Sequence, residues 1–94
     1  MTKQEFLKTE VGTAMRSCVR LLNESLEKRE SVRYGSVEYE KHTGMARCCL
    51  AQWDVYAIVL RELFGQEYYF SRTDEYFGVC TEDEKDWLFR IEKE

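Results

Sequence analysis

The sequence contains no proline, a single histidine and five glycines, which stand apart at positions 12, 35, 44, 65 and 78. That composition is neither collagen-like nor low-complexity. Isolated glycines also leave no GxGxxG or GxxxxGK(S/T) loop to cradle a phosphate. One histidine (His42) and four cysteines (Cys18, Cys48, Cys49, Cys80) without a CxxC pair do not provide the ligand spacing of a zinc site. The acidic runs lack the glycine and distal glutamate of a calcium loop. No metal and no cofactor are expected. No stretch approaches the ~18 apolar residues of a membrane span, and the N-terminal residues lack an apolar signal core. A cytoplasmic protein is expected (the host cytoplasm, if a phage encodes it), where a reducing compartment keeps the thiols free.

The chain has 94 residues, 44% hydrophobic and 34% charged. That length supports one modest core, so residues 1–94 are read as a single domain. The charge is unevenly spread. Residues 1–47 carry nine basic and seven acidic groups, a balance of +2, while residues 48–94 carry five and eleven, a balance of −6. An acidic half repels phosphate and anionic lipid, which argues against a nucleic-acid or membrane partner and favours a protein with a basic surface.

Helical spacing dominates the first two thirds. Thr2 and Glu5 form a T-x-x-E capping box, and Leu7, Val11, Ala14, Cys18, Leu22 and Leu26 recur at steps of three and four. This predicts one helix over residues 2–30, with Gly12 as a candidate close crossing. Residues 31–42 lose that period; Val32 and Tyr34, then Val37 and Tyr39, alternate in steps of two and suggest a short extended segment or loop. A second helix is predicted over residues 43–64, capped by Thr43 and ended by Gly65. Its broad apolar face, from Ala46 to Phe64, makes it the expected central element, nearly surrounded.

Residues 67–72 and 76–81 are rich in strand formers around a polar Thr73-Asp74-Glu75 turn. The tail is ambiguous. Thr81-Glu82-Asp83-Glu84 resembles a capping box, but Trp87, Phe89 and Ile91 alternate with Leu88, Arg90 and Glu92, which favours a third strand over a C-terminal helix. The predicted fold is α+β, with two long helices on one face of a small three-stranded antiparallel sheet. If Phe70, Phe77 and Trp87 face the helices, Tyr69, Tyr76 and Leu88 lie nearer the open face.

Catalytic readings find little support. His42 is the one ordinary general base, and no triad or nucleophile elbow accompanies it. Cys48 and Cys49 fall early in the second helix, where the dipole favours a thiolate, yet the period buries Cys49. The strand aromatics could stack bases, but residues 67–86 offer only Arg72 and Lys85 as cations amid an excess of acids. Tyrosine suits protein interfaces, having an apolar body and a polar tip.

The candidate protein-binding residues are therefore Asp74, Glu75, Glu82, Asp83, Glu84 and Asp86, together with Tyr69 and Tyr76. They are expected to share one exposed side. The function expected is a small acidic, non-enzymatic interaction module, of the type phages and mobile elements use as accessory proteins or inhibitors against a host nucleic-acid-handling protein. The alternatives are a homo-oligomeric accessory protein, such as a homodimer through a sheet edge or the tyrosine face, and a small enzyme using His42 or a cysteine.

Overall fold

The computed structural model describes residues 1–93. Its elements are α1 (Lys3–Leu7), α2 (Glu10–Glu30), α3 (Val37–Phe64), β1 (Tyr69–Arg72), β2 (Tyr76–Cys80) and β3 (Trp87–Glu92). The three strands form an antiparallel sheet in the order β1-β2-β3, on which the two long helices pack. The predicted α+β architecture is observed, and the C-terminal segment is a strand rather than a helix.

The predicted first helix is broken in two. Thr2 and Glu5 form the expected capping box. A second cap then interrupts the chain at Thr9, whose backbone is extended (φ −74°, ψ 166°). The Thr9 hydroxyl donates to the Phe6 carbonyl at 2.6 Å and accepts from the Gly12 amide at 3.0 Å. A Cβ at Gly12 would collide with the Phe6 carbonyl and sit 2.9 Å from the Leu7 Cα, so this position is a close backbone approach. The break separates Leu7 from the stripe of α2, whose buried side is centred on Met15, Val19 and Leu22. Phe6, Leu7, Met15, Cys18, Val19 and Leu22 are buried, whereas Val11 and Ala14, placed on the stripe by an unbroken period, are exposed.

α3 begins six residues before the predicted cap. The Ser36 hydroxyl accepts from the Tyr39 amide at 3.1 Å, and residues 31–36 form only the turn between the helices. The alternating Val37 and Tyr39 belong to the first turn of this helix, not to a strand. Tyr39 packs against Tyr34, with ring centroids 4.8 Å apart. Thr43 lies inside the helix, its buried hydroxyl unpartnered among the described residues. Gly65 ends α3 as predicted, left-handed at φ 66°, with its amide on the Arg61 carbonyl at 2.8 Å.

The central helix is α2 rather than α3. α2 meets α3 on one side, where the Cys18 thiol donates to the Cys49 carbonyl at 3.3 Å. On its other side it meets the sheet, where Arg72 reaches Asn23 and the Arg16 guanidinium lies 5.6 Å from the Phe89 ring centre. α3 buries Ala46, Cys49, Trp53 and Leu60 along one stripe and leaves its opposite side to solvent. The hydropathy of α3 suggested a surrounded helix; half of that apolar surface is unpartnered.

The register pairs Phe70 with Val79, Val79 with Phe89, and Phe77 with Ile91, so these residues share the helix-facing side. A bulge at Val79/Cys80 pairs Cys80 with Trp87 and inserts Leu88 as an extra residue. The insertion reverses the expected facing of two residues. Leu88 is buried in the core, and Trp87 turns to the outer face. Simple alternation could not reveal this. The exposed area is 6396 Å², above the roughly 5,700 Å² expected for this mass, because the molecule is elongated, at 45 × 24 × 21 Å.

Candidate functional site

Because the strands are antiparallel, the turn after β1 and the turn after β2 lie at opposite ends of the sheet. Asp74 and Glu75 occupy the first, beside the end of β3, where the Lys93 amide donates to the Glu75 carbonyl at 2.9 Å. Glu82, Asp83, Glu84 and Asp86 occupy the second, about 17 Å away by the length of a five-residue strand. The six carboxylates do not form one patch. Tyr69 begins β1 at the second end, and Tyr76 begins β2 at the first.

The end bearing Glu82 is the better-formed surface. Gln66, Glu67, Tyr69, Thr81, Glu82, Asp83 and Asp86 line an open cleft of about 460 Å³. Glu67 belongs to this group, although the sequence reading of the acidic turns passed over it. Its proximity arises from antiparallel pairing, which brings the start of β1 next to the end of β2. Tyr69 is 42% exposed, and its hydroxyl donates to Glu67 at 2.8 Å, which raises the phenol above its ordinary 10.0.

Most of these acids are held in place. Asp83 accepts from the Thr81 hydroxyl and from the Lys85 amide, and these bonds keep its carboxyl below the ordinary 3.8. Asp86 pairs with Lys3 at 3.0 Å. Tyr68, then Asp86, raise the Lys3 ammonium above 10.5. Glu84 accepts from the Ser71 hydroxyl at 2.9 Å and adopts φ 59°, while its carbonyl accepts from the Trp87 indole N–H at 2.9 Å. Glu82 is exposed and has no ion-pair partner among the described residues. Within this turn Asp83, Glu84 and Asp86 are held by local bonds and Glu82 is the carboxylate left to solvent.

The outer face of the sheet is occupied by a stack of its own. Tyr76 and Trp87 meet edge to face at 5.2 Å, and the Arg90 guanidinium lies 4.7 Å from the Tyr76 ring centre and 6.0 Å from that of Trp87. Tyr76 is thereby half-buried and committed internally, unlike Tyr69.

His42 sits in the second turn of α3, with Nε2 3.8 Å from the Glu38 carboxylate. It lines a groove between α2 and α3 with Leu21, Glu24, Ser25, Lys28, Lys41 and Met45. Cys18, Cys49 and Cys80 are buried, and burial pushes all three thiols above the ordinary 9.0; Cys48 is exposed. Among the described residues, no group of three His, Cys, Asp or Glu side chains is arranged to hold a metal ion, and no helix is long and apolar enough to cross a membrane. Comparison with known proteins returns no matching family model, curated protein or solved structure.

Proposed function

We propose that the chain is a non-enzymatic interaction module that docks on a basic protein surface through the acidic end of its sheet. Glu67, Glu82, Asp83 and Asp86 supply the negative charge, and Tyr69 supplies the apolar contact. The observation that carries this reading is the cleft those five residues line, in which Glu67, Asp83 and Asp86 are held by local bonds before any partner arrives and Glu82 is exposed beside them. Preorganised charge costs little ordering entropy on binding and speeds encounter with an opposite surface. The partner class is a nucleic-acid-handling protein, whose phosphate-binding groove presents an extended basic surface. In its fullest form the proposal makes the chain a phage or mobile-element inhibitor that occupies such a groove.

The test is capture of partners from extracts, followed by association kinetics at several salt concentrations. Asp83 should be kept, because it holds the turn. The variant Glu67→Gln, Glu82→Gln, Asp86→Asn should associate roughly tenfold more slowly at low salt and lose most of the salt dependence. Equal rates and equal salt slopes for wild type and variant would remove the acidic mechanism.

A further inference from the structure

The side of α3 turned away from α2 carries a pattern that neither the fold nor the acidic cleft uses. Lys41, Gly44, Cys48, Ala51, Val55, Ile58 and Glu62 follow one another at alternating steps of three and four, and all are exposed. Val55 and Ile58 are 59% and 51% exposed. A 3-4 repeat of this kind is the seam of a two-helix coiled coil, with Cys48 and Val55 at one core position and Gly44, Ala51 and Ile58 at the other. The diametrically opposite heptad position holds Ala46, Trp53 and Leu60, all buried in the intramolecular core. The seam therefore points away from α2, with Ile58 at the edge of a groove that Tyr68 and Tyr69 also line.

The charges beside the seam name its occupant. One flank carries Glu40, Arg47, Asp54 and Arg61 at steps of seven, in the order minus, plus, minus, plus, and all four are exposed. In an antiparallel helix pair this flank faces its own copy. Pairing Cys48 with Ala51 of a second copy, and Val55 with Gly44, aligns Arg47 with the other copy's Asp54 and Glu40 with its Arg61. Every pair on this flank then joins opposite signs. A parallel pair would instead set this flank against Met45, Gln52 and Val59, with no charge to match. Among the described residues of the monomer, only Arg61 of the four has an ion-pair partner, the exposed Glu67 at 3.8 Å.

We infer that α3 docks a second copy of this chain, antiparallel, through the Gly44–Cys48–Ala51–Val55–Ile58 seam. The two-fold axis passes between Cys49 and Leu50. Gly44 and Ala51 let the helices approach to about 8 Å, near the lower limit for packed helices. The two Cys48 thiols lie on the contact, offset by three residues along the axis, about 4.5 Å. The contact borders the acidic cleft at one end, because Asp54, Ile58 and Arg61 line a groove with Glu67 and Tyr69, while Glu82, Asp83 and Asp86 lie outside that groove.

Sedimentation equilibrium of the full chain across micromolar to millimolar concentration reads the association directly, and a bis-maleimide with a reach of about 10 Å should link Cys48 to Cys48. Val55→Glu should abolish the dimer. Arg47→Glu should weaken it roughly tenfold, by placing like charges opposite one another twice. The double variant Arg47→Glu, Asp54→Arg should restore it. All three changes are at exposed positions, and circular dichroism checks that the monomer fold persists. A chain that stays monomeric to 1 mM overturns the inference. So does a dimer indifferent to Val55→Glu, or one that the charge swap fails to restore, since either places the contact elsewhere or in another orientation.

Discussion

The Nε of Arg72, on β1, donates to the Oδ1 of Asn23, on α2, at 3.0 Å. The same guanidinium donates through Nη1 to Glu30 at 2.6 Å, while the Asn23 amide reaches Glu27 at 3.2 Å. Asn23 is only 4% exposed, so its carbonyl oxygen has been taken from water and must find its partner across the boundary between sheet and helix.

Arg72→Ala removes that partner and leaves a buried acceptor unpaired. The expected loss is about 1–3 kcal/mol of unfolding free energy, measured by urea titration. A loss below about 0.5 kcal/mol would mean that the bond adds nothing to the docking of sheet on helix.

The pH dependence follows from the acids on this framework. Arg72 holds Glu30 below the ordinary 4.5, Thr2 does so for Glu5, and Lys28 for Glu24. Each carboxyl binds its proton more weakly folded than unfolded. The stabilisation is therefore complete above the ordinary value and drains away as the pH falls through the depressed ones. Thermal melts should be flat from pH 7 to about 5 and decline below it. Glu30→Gln should shallow that decline, and an unchanged acid limb would show that the Arg72 contact does not stabilise the charged form.

Two helical glycines should respond to alanine with opposite signs. At Gly44 a Cβ meets nothing within 4 Å, so Gly44→Ala should stabilise the monomer by up to about 1 kcal/mol. At Gly12 the Cβ meets the Phe6 and Leu7 backbone, which cannot rotate aside, so Gly12→Ala should cost about 1–3 kcal/mol. Parallel chemical denaturation of the two variants decides the matter, and stabilisation at both sites would contradict the close approach.

The helices, the two β-hairpins and the Gly65 terminator were legible because each is written locally, in period, cap or turn. The failures share a cause. Thr9 and Ser36 are N-caps hidden inside otherwise helical or polar stretches, and a hydroxyl does not announce which of several positions it will cap. The Leu88 bulge is a property of two paired strands, so neither strand alone encodes it. The acidic residues were correctly singled out as exposed, but their division between two ends follows from strand direction. The addition of Glu67 follows from the pairing of Tyr69 with Cys80, eleven residues further on. The outward seam of α3 was present in the spacing and was absorbed into a single broad apolar face.

The placement of α2 between two partners bears on how the chain folds. The helical hairpin and the β-meander each join elements that are neighbours in sequence, so each closes only short loops. Their mutual docking, through Asn23 with Arg72 and Arg16 with Phe89, is the step that must order a long stretch of chain at once. Refolding should accordingly slow when Phe77, in the middle of that contact, is trimmed to leucine, while trimming Ile58 on the outer side of α3 leaves the refolding rate of the monomer unchanged. Stopped-flow chevrons that moved together for both substitutions would place the barrier elsewhere.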